Sequence, residues 1–310
     1  MPDSFTLAVR RCASQPSVSA AFASRPADRK DEAVAEGRRS NQRSRPIQRT
    51  PPSKRSQNQP RPGLARRATE PPVPEGVDTR QLHRSVRAEL RGLPKELAEI
   101  VAAHLVAAGQ LIDHDPELAY AHAEAARRRA SRLPVVREAA AETAYAAGHY
   151  DTALSELRAI RRMTGSDDYL PMMADCERAL GRPEAALKLA KEAKRLRLDP
   201  AQRVEMILVE AGARTDLGQE AEALRLLEAA IANLSPTAAP RIAAARLRYA
   251  YAEALLRRGS SAEARKWFEA AAELDSDAET DAQARVDELD GVLLNVDPSD
   301  LERLPSAENS

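Results

Sequence analysis

Aromatic residues and cysteines are scarce in this sequence. Its 310 residues include three Phe, one Trp, six Tyr and two Cys. The runs of Val, Ile, Thr and aromatic residues that would predict strands are missing, which argues against a sheet. Cys12 and Cys176 lie far apart in regions of different character, which excludes a disulfide framework and favours a reducing compartment, the cytoplasm. No stretch of the sequence has the apolar length that a membrane span requires.

Alanine and leucine supply most of the apolar side chains instead. Alanine has the highest helix propensity, and its small side chain allows two helices to approach each other closely. Leu82, Val86 and Leu90 begin a helical pattern, and further helical stretches follow with short breaks. The sequence therefore predicts an all-α fold. Forty Arg against seven Lys, with abundant Ala, is typical of a high-GC bacterium such as an actinobacterium.

Charge is distributed unevenly, although the whole chain is neutral with 47 basic and 47 acidic residues. Residues 1–70 carry 15 Lys or Arg and six Asp or Glu, a net charge of +9, so the remainder carries −9. Residues 38–67 contain ten of these cations and no acid, among many Pro, Ser and Gln. Such a segment has too few apolar side chains to offset the entropy of ordering its backbone. We therefore predict a disordered basic arm over residues 1–77 and a flexible tail over residues 297–310.

A short turn recurs four times: GHYDTAL at 148–154, GRPEAAL at 181–187, GQEAEAL at 218–224 and GSSAEAR at 259–265. The glycines of these turns are 33, 37 and 41 residues apart, and alanines stand seven residues before and five residues after each glycine. The aligned positions are Gly148, Gly181, Gly218 and Gly259, preceded by Ala141, Ala174, Ala211 and Ala252 and followed by Ala153, Ala186, Ala223 and Ala264. This register predicts helix–turn–helix units, in which a glycine ends the first helix and two alanines meet where the helices cross.

The pattern resembles the tetratricopeptide repeat (TPR), a helix–turn–helix unit of about 34 residues. The resemblance covers residues 94–276 and implies a right-handed α-solenoid of TPR-like repeats, in a domain that spans residues 78–296. The repeats are assigned to residues 95–133, 134–166, 167–203, 204–240 and 241–276, with an end-helix at residues 279–296. No repeat has the tryptophan that the family carries in its first helix, and two spacings exceed the usual repeat length. Longer helices or looser turns are therefore expected.

In TPR proteins, side chains of the first helices form most of the concave wall. The resemblance places the following residues there: Glu96, Glu99, Glu138, Glu142, Tyr145, Asp168, Asp175, Arg178, Glu205, Thr215, Asp216, Arg246, Tyr249, Glu253 and Arg257. Nine of them are acids and three are bases. A concave surface of one sign selects ligands of the opposite sign, although the same residues could form an ordinary solvated helix face. The Lys and Asn residues with which chaperone-binding relatives hold a C-terminal carboxylate are absent, so that ligand is not expected.

Catalytic and metal chemistry have little support in the sequence. His104, His114 and His122 fall within twenty residues, but no metal-binding spacing such as HExxH or CxxC accompanies them. We expect His104 and His122 to be partly buried in helices and His114 to lie in a turn. The acids on both sides of Cys176 disfavour its thiolate form. We expect neither an enzyme nor a metal or other cofactor.

The sequence favours a non-catalytic adaptor or scaffold that binds a protein or peptide, basic in character, on the concave face. The alternative is a nucleic-acid- or ribosome-associated factor that uses residues 38–67, since cations without acids bind phosphates with little specificity. A third interpretation joins the two parts of the chain, because the basic arm could occupy the acidic groove until a partner displaces it. Phosphorylation of Thr69, in the stretch RRAT, would then weaken that contact. No feature indicates membrane binding or a particular oligomeric state.

Overall fold

The computed structural model describes residues 70–73, 76–234 and 239–291. Most of the predicted basic arm, including Thr69, lies outside the described residues. The tail predicted at residues 297–310 and the last part of the predicted end-helix also lie outside them.

The described residues form α-helices and one short 3₁₀ turn, Thr79–Gln81, with no strand among them. The twelve α-helices are α1 (Arg84–Leu90), α2 (Lys95–Leu111), α3 (Pro116–Ala130), α4 (Pro134–Ala146), α5 (Tyr150–Thr164), α6 (Leu170–Ala179), α7 (Pro183–Ala193), α8 (Pro200–Asp216), α9 (Glu220–Ala232), α10 (Arg241–Arg257), α11 (Ser261–Ala272) and α12 (Ala282–Leu289). The prediction of an all-α fold is confirmed for this part of the chain.

Ten of these helices form five helix–turn–helix pairs, α2–α3, α4–α5, α6–α7, α8–α9 and α10–α11. From α1 to α12, each helix packs against the next one along the chain. First helices also contact the first helix of the following pair, as α2 contacts α4, α6 contacts α8 and α8 contacts α10. This succession of packed pairs is consistent with an α-solenoid. The border predicted between residues 203 and 204 falls inside α8, which begins at Pro200.

Two helix starts show how local chemistry sets the limits of the elements. Asp115 accepts a hydrogen bond from the backbone N–H of Leu118 at 3.0 Å, and Pro116 takes the first helical position of α3. Asp199 and Gln202 form a reciprocal capping box at the start of α8. Each side chain satisfies a backbone donor that has no partner within the helix.

The turn between the helices of a pair requires a left-handed backbone. Gly148 has a φ of +77°, and the turn glycines of the three later repeats also have positive φ. The N–H of Gly148 donates to the carbonyl of Tyr145 at 3.0 Å, and the N–H of His149 donates to the carbonyl of Ala144 at 2.8 Å. These bonds close the end of α4. A side chain with a Cβ would be strained at this φ, which explains why the turn recurs with glycine.

The aligned alanines are buried where the helices of a pair cross. All eight have exposed fractions between 0% and 4%. Larger side chains, such as Leu157 and Phe268, fill the space between the crossings and are fully buried. The core consists of successive clusters, and one of them combines residues of α4, α5 and α6. Neighbouring pairs therefore share their cores.

The folded part of the chain begins before residue 78, where the sequence placed the end of the arm. Glu70 is 4% exposed and contacts side chains of α2 and α3. Val77 packs against the first core cluster. Glu70 and Val77 of the predicted arm are therefore attached to the helices, Glu70 through its carboxylate and Val77 through apolar packing.

Replacing Ala223 by leucine should lower the free energy of unfolding by about 1–3 kcal/mol, because an overpacked crossing pushes helices apart. Ala223 is 1% exposed on α9. The matched control is Ala229→Leu on the same helix, where the side chain is exposed and the change should stay within about 0.5 kcal/mol. Urea denaturation followed by circular dichroism measures both. Equal losses would contradict a close helix crossing at Ala223.

Candidate functional site

The residues predicted for the concave wall lie on or just before the first helices of the pairs. Glu96 and Glu99 lie on α2, Glu138, Glu142 and Tyr145 on α4, Asp168 before α6, Asp175 and Arg178 on α6, Glu205, Thr215 and Asp216 on α8, and Arg246, Tyr249, Glu253 and Arg257 on α10. We call this set of side chains the first-helix face. Glu96, Glu99 and Arg257 are exposed and have no ion-pair partner among the described residues. Most of the others contact a neighbouring helix.

Polar contacts join three first helices in the middle of this face. The Tyr145 hydroxyl on α4 donates a hydrogen bond to Asp175 on α6. Arg178 on α6 donates from Nη1 to Asp175 Oδ1 and from Nε to Asp216 Oδ2 on α8, both at 2.9 Å. Burial opposes the charge of the guanidinium, but Asp216 and Asp175 outweigh burial and raise the pKa of Arg178. We call these four residues the central ladder.

Gly212 on α8 leaves the space that the Arg178 side chain occupies. A Cβ at Gly212 would lie 2.4 Å from Cζ and 2.5 Å from Nη1 of Arg178, much closer than a van der Waals contact. The guanidinium therefore lies against the backbone of α8, one turn from Asp216. Glycine inside a helix costs roughly 0.5–1 kcal/mol relative to alanine, and the contact with Arg178 accounts for its presence here.

Two further arginines form ion pairs with acids toward the C-terminal end of the face. Arg246 on α10 is 4% exposed, and its Nη1 pairs with Glu205 on α8. Arg285 on α12 binds Glu253 on α10 at 2.9 Å, and its guanidinium lies 5.5 Å from the centre of the Phe268 ring. Ion pairs therefore connect α8, α10 and α12 in turn.

The N-terminal end of the face differs because it holds several carboxyls without a cation. Glu138 and Glu142 lie one turn apart on α4, and Asp168 and Tyr169 directly precede α6. Burial raises the pKa of Glu138, and the charges of Glu89 and Asp168 raise it further, against a hydrogen bond with Tyr169 that lowers it. We call Glu89, Glu138, Glu142, Asp168 and Tyr169 the acidic corner.

Glu142 is deeply buried in this corner without a counter-charge. Its exposed fraction is 4%, and its Oε2 has no hydrogen-bond partner among the described residues. Burial raises the pKa of Glu142 well above its ordinary value, and the charge of Glu138 adds to the rise. An ionised carboxylate is costly in such surroundings. Glu142 therefore favours its protonated form.

The contacts divide the first-helix face into two regions. In the central ladder and the C-terminal half, arginines neutralise the acids. In the acidic corner, no Lys or Arg side chain of the described ranges pairs with Glu89, Glu138, Glu142 or Asp168. Asp168 accepts a hydrogen bond from the neutral amide of Gln202 at 3.1 Å instead.

Five residues that take part in these contacts were not among the positions predicted from the sequence. They are Tyr169 beside Glu138, Gln202 beside Asp168, Gly212 beneath Arg178, Asp281 beside Tyr249 and Arg285 beside Glu253. Of these, only Gly212 carried a signal in the sequence, because a glycine in the interior of a helical stretch needs a local reason.

The histidines of α2 and α3 form a separate buried network. His104 and His122 are 1% and 2% exposed, so they are more deeply buried than predicted, and His114 lies in the turn between the two helices. The Nδ1 atoms of His104 and His122 are 3.0 Å apart, and His104 Nε2 lies 3.2 Å from Glu70. Arg129 binds the same carboxylate at 2.7 Å.

Hydrogen-bond chemistry decides the tautomers of this network. The carboxylate of Glu70 is ion-paired with Arg129 and accepts, so His104 Nε2 carries a proton. His104 Nδ1 then accepts from the Nδ1–H of His122, because a neutral imidazole has one donor and one acceptor. Burial lowers the pKa of His104 against the attraction of Glu70. Burial also lowers the pKa of His122, to about 4, with His104 contributing.

The described residues contain no group of three or more His, Cys, Asp or Glu placed to hold a metal ion. No helix among them is both long enough and apolar enough to cross a bilayer. Cys176 is buried in the core cluster that joins α4 to α6.

The stability of the protein should decrease when the pH is lowered from 7 to 5. His122 titrates at 6.5 in the unfolded chain and at about 4 in the folded one, so the unfolded chain binds the proton more readily in this range. The resulting loss of unfolding free energy is about 2 kcal/mol. Urea denaturation at the two pH values measures it.

The variant His122→Asn separates this loss from the titration of other groups. The asparagine amide can still donate to His104 but carries no titrating proton in this range. The difference in stability between pH 7 and pH 5 should therefore be about 2 kcal/mol smaller in the variant. A difference equal to that of the natural protein would contradict the buried neutral pair.

The variant Gly212→Ala should uncouple Arg178 from Asp216, because the added Cβ would occupy the position of the guanidinium. A double-mutant cycle with Arg178→Gln and Asp216→Asn should give a coupling of about 1 kcal/mol in the natural background. In the Gly212→Ala background we expect almost no coupling. An equal coupling in both backgrounds would show that the position of Arg178 does not depend on the glycine.

No family model matches this sequence, and no curated protein matches it.

Proposed function

We propose that this chain is a non-catalytic adaptor or scaffold, built as a right-handed TPR-like solenoid, that binds a protein or peptide along the first-helix face. The central ladder carries the proposal, because it joins three successive first helices through polar side chains, of which Asp175, Arg178 and Asp216 are partly exposed. Such a row offers donors and acceptors to an extended ligand over several repeats.

The packing of the pairs supports the first helices as the inner, concave layer. First helices of successive pairs touch each other, whereas long side chains bridge the second helices. Arg127 on α3 reaches Glu156 on α5 at 3.2 Å, and Arg161 on α5 reaches Glu192 on α7 at 2.5 Å. A stack that is tighter on one side curves toward that side, which creates a concave binding surface.

The central ladder also indicates the chemistry of the ligand. The side chains of Asp175, Arg178 and Asp216 are 25%, 18% and 24% exposed. Because their mutual contacts already hold them in place, a ligand that binds them costs little side-chain entropy. Two carboxylates flank one guanidinium, so a partner segment with Lys or Arg side chains fits better than an acidic segment.

Co-purification with the full-length chain tests this proposal. Proteins and RNA retained from an extract of the source organism are measured for the natural chain and for the variant Asp175→Lys with Asp216→Lys. The matched control is Glu228→Lys with Glu263→Lys, two exposed acids on second helices whose replacement changes the net charge equally. We expect particular proteins to be lost about tenfold from the ladder variant alone. Titration with the purified partner should then reproduce that loss.

Two results would overturn the proposal. In the first, every retained protein is retained equally by the ladder variant and the control, while circular dichroism shows both to be helical. In the second, RNA is the only retained component and is lost when the Lys and Arg of residues 38–67 are replaced by Gln. That result would assign the chain to nucleic acid.

A further inference from the structure

The acidic corner is the part of the described first-helix face where carboxyls from different helices converge without a cation. Glu96 and Glu99 also lack one, but both are exposed on a single helix. Glu89 on α1 lies 3.4 Å from the backbone N–H of Val135 at the start of α4, so its carboxylate is held beside that helix. Glu138 and Glu142 follow on successive turns of α4. Elsewhere on the described part of this face, the acids that lie between helices form ion pairs with Arg178, Arg246 or Arg285.

Glu142 is the observation that points to a missing partner. A carboxyl that is 96% shielded, with an oxygen that no described donor reaches, lowers the stability of the fold. An apolar side chain of similar size would fill the same space without that loss. The residue is therefore better explained by a contact that forms when a ligand arrives than by packing within the described chain.

The geometry of the corner suits a basic side chain. A guanidinium has five N–H donors in a planar fork, and an ammonium has three donors, so either can bind two carboxylates at once. Glu138 and Glu142 supply such a pair when a bound cation replaces the proton of Glu142, and Tyr169 holds Glu138 through its hydroxyl. A divalent metal is a poorer candidate. The described residues contain no group of three or more His, Cys, Asp or Glu that could hold a metal ion.

The chain itself contains a segment of the required chemistry. Residues 38–67 carry ten Lys or Arg and no acid. Their attachment point is held by the fold, because Glu70 is bound by His104 and Arg129 on the first helix–turn–helix pair. The nine peptide steps from Arg61 to Glu70 can span roughly 30 Å, and cations nearer the N-terminus can reach further. A tethered segment also has an effective concentration on the order of millimolar.

We propose that Lys and Arg side chains of residues 38–67 bind in the acidic corner of the same chain, with Glu138 and Glu142 as the paired acceptors. The inference rests on the proposed function, since it treats the first-helix face as the binding surface. It adds a regulation to that function. A partner with basic side chains competes with the arm for the corner, so the arm sets the affinity threshold that a partner has to exceed.

Binding of a labelled synthetic peptide with the sequence of residues 38–67 tests the inference. It is titrated with the natural full-length chain and with a full-length chain whose ten Lys and Arg in that segment are replaced by Gln, the neutral-arm chain. Because its corner is vacant, the neutral-arm chain should bind the peptide at least about tenfold more tightly than the natural chain.

Two variants of the neutral-arm chain locate the site. Glu138→Gln with Glu142→Gln should weaken peptide binding at least about tenfold, whereas Glu228→Gln with Glu263→Gln, the same substitutions at two exposed acids, should leave it unchanged. If the first pair of substitutions disturbs the circular dichroism spectrum, the single variant Glu138→Gln, at a half-buried position, is compared with Glu228→Gln instead.

Each outcome of the titration has a definite meaning. Equal affinity of the natural and neutral-arm chains would overturn the occupancy by the arm. Equal affinity of the corner variant and its control would overturn the corner as the site and would show general charge attraction. Neither result touches the proposed function, which is tested with foreign proteins and with Asp175 and Asp216, so the two proposals can fail separately.

Discussion

The close approach of helices within each pair is the constraint on which the rest of the structure depends. The helices cross at methyl side chains such as those of Ala153 and Ala186, which are fully buried. Each methyl group removes little apolar surface from water, so an isolated pair cannot offset the entropy of ordering its backbone. A pair gains enough burial only when it shares a core with its neighbour, as α4 and α5 do with α6. Stability therefore belongs to the whole stack.

The same close packing governs the charges between the first helices. Polar groups that face each other across a narrow gap lose their water, and each then needs a partner within the protein. Arg178, Arg246 and Arg285 supply such partners over most of the face. Around Glu142 no Lys or Arg of the described residues takes that place.

The features that could be predicted from the sequence are those imposed by local constraints. A turn such as that at Gly148 requires a left-handed residue, and a crossing such as that at Ala186 requires a small one, so both leave a periodic signal. Contacts between distant residues leave none: Glu70 is separated from His104 by 34 positions and from Arg129 by 59. The division of the first-helix face into two regions could not be predicted from the sequence either. The offset between neighbouring helices decides which acid forms an ion pair with an arginine.

The residues that precede the first pair also restrict where helix pairs can be added to the array or lost from it. Val86 and Leu90 of α1 are buried in the first core cluster, and Glu70 closes the buried histidine network beside them. A duplicated pair inserted before α2 would have to displace both, and would leave Arg129 and His104 inside the protein without their carboxylate. An insertion between interior pairs would meet two surfaces that already fit such a pair. Gain and loss of repeats over evolutionary time should therefore occur in the interior of the array, while its N-terminal end is retained.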